Sequence, residues 1–214
     1  MTTLTESTHA GEGIVSEANK SRSRDAITVL SGQTLVAMAV LGMVTVGAAT
    51  AEAVTGNTGA GTSSAVTVGA GAKAGVYKVT FIEPGSGAGD FIVEDPDGIT
   101  VGSGAVGTEF AAGGLTFTIS DGDPDFAAGD AFEITVAAGS GKYKEWNPAN
   151  ADGSQVACAI LFDAVDASDG DAPGVAVSRD AEVNAAELVW FTGATTDNKT
   201  AGLAQLATVG IIGR

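Results

Sequence analysis

Asp121, Asp123 and Asp125 share the alternating spacing of the first three oxygen ligands in an EF-hand calcium loop. The loop's sixth position would be Phe126, where glycine is needed, and its twelfth Phe132, where a bidentate glutamate belongs. An ordinary acidic β-turn accounts for the same residues, so they are weak candidates and no metal is expected. Asp163, Asp166, Asp169 and Asp171 carry the same two readings. Nucleophilic catalysis by Ser-His-Asp or Cys-His needs a histidine in the folded core, and the one histidine, His9, lies in a polar N-terminal segment. Cys158, the one cysteine, can form no intrachain disulfide; within the apolar run Val156 to Leu161 it reads as a small buried hydrophobe. No G-x-S-x-G elbow or phosphate loop occurs, and Gly69-Ala-Gly-Ala-Lys73 lacks the Gly-Lys-Ser/Thr run. Paired carboxylates for glycoside hydrolysis could be drawn from so many acids, yet no spacing picks a pair. The chemistry points away from an enzyme and implies no cofactor.

The elements around these residues are those of a turn-rich β protein, with 31 glycines in 214 residues. Twenty-six acidic against ten basic residues give a net charge of -16, with no basic stripe to neutralise nucleic-acid phosphates or meet an anionic membrane. Leu35 to Val46 is too short an apolar run to span a bilayer, lies too deep for a signal peptide, and is expected to be core β structure. Asn198-Lys-Thr200 fits a glycosylation sequon and is treated as chance.

Met1 to Arg24 is polar and aperiodic, as in a flexible arm, with Gly13-Ile14-Val15 a small apolar island able to add as a strand to another sheet. Residues 25–54 and 142–214 form one domain, and 55–141, flanked by glycine joints, a second one inserted into it. In the insert Tyr77, Val79 and Phe81, then Leu115, Phe117 and Ile119, then Phe132, Ile134 and Val136 alternate with polar residues, which predicts six or seven short strands in a small antiparallel sandwich or barrel. It carries eleven acidic residues against two lysines. In the last part Val156 to Phe162 and Val175 to Val177 read as a buried β-ribbon around the acidic loop. Asn184 and Glu187 fit a helical capping box, and Thr196 fits the cap of a helix from Asp197 to about Thr208, with Ala201, Leu203, Ala204, Leu206 and Ala207 as its apolar face and Gly210 as its stop. Ile211 and Ile212 should form a final strand. The fold class is mostly β with two short helices.

The stretch from Asp152 to Trp190, with Asp163-Ala-Val-Asp-Ala-Ser-Asp-Gly-Asp-Ala-Pro-Gly174 and Ala176-Val-Ser-Arg-Asp-Ala-Glu-Val-Asn-Ala-Ala-Glu-Leu-Val-Trp190, resembles the head decoration proteins of lambda-type tailed phages. Ser31-Gly-Gln-Thr-Leu35, Val40-Leu-Gly-Met-Val44 and Gly210-Ile-Ile-Gly-Arg214 fit the same pattern, which covers roughly 125 of the 214 residues. Where the family tends to place a glycine turn this chain has Ala37-Met38-Ala39, and methionine tolerates positive φ poorly. The resemblance implies a bent β-ribbon domain that forms a homotrimer on the outer surface of an expanded head and cements the major capsid protein. It implies that the arm engages the shell, with Gly13, Ile14 and Val15 as candidate contacts. Trp146 and Trp190 are aromatic candidates for subunit contact, although such residues are more often simple core residues. An alternative is a displayed binding module whose inserted domain contacts glycans with multivalent avidity.

Overall fold

The computed structural model describes Glu6 and Thr8–Arg214. Most of the proposed arm therefore falls within the described residues, while Met1–Thr5 and Ser7 lie outside them. The chain divides into two compact units, one formed by Met1–Val44 with Gly141–Arg214 and the other by Thr45–Ser140. The division falls ten residues earlier than the sequence boundary at 54. Val46–Ala53 pairs along Ala131–Ala138, and Val46, Ala49 and Ala51 pack into the second unit's core.

In the first unit, Tyr143–Glu145, Arg24–Val29, Ala172–Val177, Ala157–Leu161 and Val40–Met43 close into a five-stranded barrel in that order. Val156 to Phe162 reads as continuously apolar because Ala157–Leu161 is buried on both faces. A register shift between Ala157 and Ala159 changes the side-chain parity at Cys158. Ala159 and Leu161 thus join Ile27, Val29, Leu41 and Ala176, while Ala157 and Ile160 join Met38, Trp146, Val183 and Leu206. The acidic loop carries its own strand, Val165–Ala167, paired with Gln33–Leu35.

A three-stranded sheet sets Ala181–Val183 between Ile14–Glu17 and Ile211–Gly213. Over the second cluster lies the helix Thr196–Thr208, capped by Thr195 rather than Thr196, with the Asn198 side chain completing a capping box. Gly202 and Leu206 are its buried residues, whereas Ala201, Ala204 and Ala207 are exposed. Gly210, at φ +83°, follows its end. No helix is long and apolar enough to cross a membrane among the described residues.

Asn184 starts a turn, not a helix. Its amide donates to Gly13 O and that of Ala185 to Arg214 O, so first-turn donors are spent on neighbouring strands. Val189 then bridges in parallel to Ala39. A second helix, the four-residue Lys20–Ser23, is capped by Asn19 inside the supposed arm. Met38 does take up the left-handed conformation, at φ +64°, and is fully buried. Its amide donates to Leu161 O and its carbonyl accepts from Val189 N, so the surrounding backbone holds it there.

The second unit contains nine strands, all paired antiparallel. Thr100–Ala105, Ala88–Glu94, Gly75–Gly85, Ala131–Ala138 and Val46–Ala53 form one sheet in that order. Glu109–Ala112, Leu115–Ser120 and the short pieces Thr62–Ser63 and Thr67–Val68 form the other. The alternating rows seen in the sequence bury Tyr77, Val79, Phe81, Leu115, Phe117, Ile119, Phe132, Ile134 and Val136 in one core. Phe126 stacks on Phe81 with ring centroids 4.0 Å apart. The unit's ends meet: Val46 pairs with Ala138, and Gly139 N donates to Thr45 O at 2.9 Å.

Candidate functional site

The acidic residues do not assemble into a metal centre. Asp121, Asp123 and Asp125 are exposed on the loop after Leu115–Ser120, and Asp125 accepts the Gly87 amide at 3.2 Å. No group of three or more metal-ligating side chains converges among the described residues. Phe126 is tucked into the aromatic core, which removes the turn an EF-hand loop requires at that position. In the 163–171 loop the acids serve local structure. The Ser168 hydroxyl, and then the Ser168 amide that donates to Asp166 at 3.0 Å, hold the Asp166 carboxyl below its usual range. Asp171 is lowered by Lys142, with which it is ion-paired, and also accepts Ser31 N at 3.0 Å.

Cys158 is half-buried, its Sγ 3.7 Å from Leu41 O, and burial pushes the thiol up, away from the reactive thiolate. His9 is exposed, between Glu6 and Glu12 at 3.7 Å each. No nucleophile–base pair comes of either.

A different arrangement organises the N-terminal segment. Gly11 N donates to Phe162 O at 3.0 Å, Gly13 O accepts from Asn184 N at 2.8 Å, and Ala18 N donates to Asp180 O at 2.9 Å. Ile14 packs against the cluster containing Met38 and Trp146, and Ile14–Glu17 pairs with Ala181–Val183. From Gly11 onward the arm expected from composition is therefore docked on its own unit. Its polarity is used up by specific partners, which a composition argument does not see. Val15 falls at a register shift and is 59% exposed.

Arg24 locks this segment. Its Nε donates to Glu17 Oε2 at 2.9 Å and its Nη2 to Oε1 at 2.5 Å, while the guanidinium carbon lies 3.8 Å over the Phe162 ring. Both charged side chains are about one-sixth exposed, at 16% and 15%. Arg24, then burial acting in the opposite sense, then the Ser23 hydroxyl leave the Glu17 carboxyl below its ordinary value. Ser16 donates to Glu182 Oε2 at 2.9 Å, and Arg214 pairs with the same carboxylate. Nothing in local spacing announces the Arg24 cluster, since Phe162 is distant in sequence. The visible cue was modest: Asn19, a helix cap, sits between a glutamate and an arginine that a short helical turn can bring together.

Trp146 is fully buried, and its Nε1 donates to Gln155 O at 2.8 Å. In this chain it is a core residue of the first unit. Trp190 is half-buried and meets Trp146 edge-on, with centroids 5.4 Å apart; Phe191 does the same at 5.7 Å. The indole of Trp190 closes onto Gly202, where a β-carbon would lie 2.4 Å from its ring.

Comparison with curated proteins finds no match. Among solved structures, FlgL of Xanthomonas campestris aligns over 50% of this chain and 34% of its own, at 25% identity and a TM-score of 0.34. The flagellar junction protein FlgL of Legionella pneumophila aligns over 49% and 37%, at 19% identity and 0.35. The flagellar hook junction protein FlgK of Burkholderia pseudomallei aligns over 57% and 21%, at 23% identity and 0.33. The chain thus spans about a third or less of the length of the first and last of these, and TM-scores this low carry no argument. The model of the bacteriophage lambda head decoration protein D family, by contrast, matches residues 3–211, from before the docked N-terminal segment to the final strand. With nearly its whole length matched, the chain belongs to the bacteriophage lambda head decoration protein D family, structural proteins of the phage capsid rather than enzymes.

Proposed function

We propose that the protein binds as trimers to the outside of an expanded tailed-phage head and cements the lattice of the major capsid protein. The observation that carries this is membership of the decoration family over residues 3–211. Cementing follows from geometry of attachment: a trimer seated where capsomers meet ties several shell subunits together, so opening the shell must break those contacts at once. The residues before Gly11 would supply the arm. Ile14–Glu17 stands at the end of its sheet order, so its outer edge could add main-chain hydrogen bonds, with Val15 exposed beside it. Trp190, half-exposed, stays the aromatic candidate for subunit contact.

The test is solution mass by light scattering, with binding to expanded heads, for the full chain and for a variant in which a short glycine linker replaces Thr45–Ser140. Trimers that bind heads in both cases support the reading. A folded full-length protein that ignores expanded heads sinks it. The second unit's separate core favours an additional reading, a displayed module that contacts glycans in many copies. Decorated particles that bind no more glycan than particles carrying the linker variant would remove that reading.

A further inference from the structure

We infer that Arg24 is a positioning residue for shell attachment: by joining Glu17 to the Phe162 ring it fixes the position of Gly11, to which the residues proposed as the arm are joined. The inference rests on the proposed role of those residues as a shell-binding arm.

Three observations meet at this point. Gly11, at φ +69°, lies so close to Phe162 that a β-carbon there would be 2.6 Å from the ring's Cε2. The Phe162 carbonyl accepts the Gly11 amide, and its ring carries the Arg24 guanidinium. The other side of Arg24 is a two-bond fork to Glu17, at the far end of the Ile14–Glu17 strand. One side chain thus grips both ends of the docked segment, the root of the arm through Phe162 and the end of the strand through Glu17. Asn19 and the turn Lys20–Ser23 set the reach, since they fold the chain back so that Arg24 faces Glu17. Ser23 adds a hydroxyl donor to the same carboxylate at 2.8 Å.

A segment already fixed from Gly11 to Arg24 has less entropy to lose on binding than one left free over that length. Lysine cannot replace arginine here, because it offers neither the fork nor the flat stacking surface.

The test uses the full-length protein with Arg24→Gln, Arg24→Lys, Glu17→Gln, the double variant Arg24→Gln/Glu17→Gln, and a chain lacking residues 1–10. Amide hydrogen exchange of Gly11, Ala18 and Asn184, whose bonds join the segment to the body, reports the clasp. Exchange of Leu161 and Trp146 reports the barrel. In Arg24→Gln the first three amides should exchange about tenfold faster, with Leu161 and Trp146 unchanged. Arg24→Lys should recover less than half of that change, and the double variant should be no worse than either single one. Affinity for expanded heads should fall with Arg24→Gln and with removal of 1–10. Unchanged exchange in Arg24→Gln overturns the clasp. Faster exchange with native head affinity, while removal of 1–10 weakens binding, overturns the positioning role alone. Native affinity after removal of 1–10 overturns the arm reading itself, and the positioning role with it, whatever the exchange shows.

Discussion

The carboxamide of Asn57 bonds twice to the backbone of Ala131, its Nδ2 donating to the carbonyl at 2.8 Å and its Oδ1 accepting the amide at 3.0 Å. The same carbonyl also accepts Val54 N at 3.0 Å, so the side chain extends the pairing of Val46–Ala53 at the start of Ala131–Ala138. The neighbouring residue completes the closure. Asp130, 6% exposed, accepts the amides of Thr58 at 2.9 Å, Gly59 at 2.8 Å and Ala127 at 2.9 Å, so one carboxylate ties the 57–59 loop to the 127–130 turn.

Burial pushes the Asp130 carboxyl up, but the three amides outweigh it and hold the group below its ordinary value. A depressed folded-state pKa contributes stability above the unfolded value that is lost as pH falls through the folded one. Acid should therefore weaken this closure only below the usual aspartate range. Asp130→Asn should cost about 1–3 kcal/mol in the second unit at neutral pH and flatten that acid dependence, as read by denaturant melts across pH.

Met38 offers an inverted order of substitutions. Alanine removes a buried side chain and keeps the strain at φ +64°, whereas glycine removes the side chain and relieves the strain. Both variants should be less stable than the native chain, with Met38→Gly about 1 kcal/mol more stable than Met38→Ala. Equilibrium unfolding of the pair checks this; an alanine variant at least as stable as the glycine one would remove the argument from strain.

Gly202→Ala should destabilise the first unit although alanine favours helix. The added carbon meets the Trp190 ring at 2.4 Å with the buried Trp146 ring close behind at 3.2 Å, and overpacking of this kind costs about 1–3 kcal/mol against a propensity gain of about 1. Tryptophan fluorescence should shift in the same variant, because both indoles border the site.

Cys158 should react with a neutral thiol reagent at least about tenfold more slowly in the folded protein than in denaturant, since burial raises its pKa and covers the sulfur. Equal rates in the two states would contradict its placement at the barrel wall.

Legibility in the sequence followed the range of the interactions. Rows such as Leu115, Phe117 and Ile119 announced their strands because alternation is local. The parity change at Cys158 was hidden, for a bulge leaves the apolar run Val156 to Phe162 looking uniform. Thr195 and Thr196 are both competent caps, and the Asn198 side chain decided between them. At Asn184 local helix signals lost to distant partners, the Gly13 carbonyl and the Arg214 carbonyl. The same limit concealed the Arg24 clasp, whose aromatic half arrives from Phe162 across the barrel strand's end. Family resemblance supplied what local pattern could not, and composition misjudged the segment after Gly11 because charge pairs had absorbed its polarity.

Gly139 N and Thr45 O are a single hydrogen bond apart, while in the first unit Gly141 N donates to Val44 O and Val44 N to Lys142 O. Replacing Thr45–Ser140 by a short linker should therefore leave the register of the first unit's strands unshifted, because Val44 is already paired with Gly141 and Lys142 where the cut would fall.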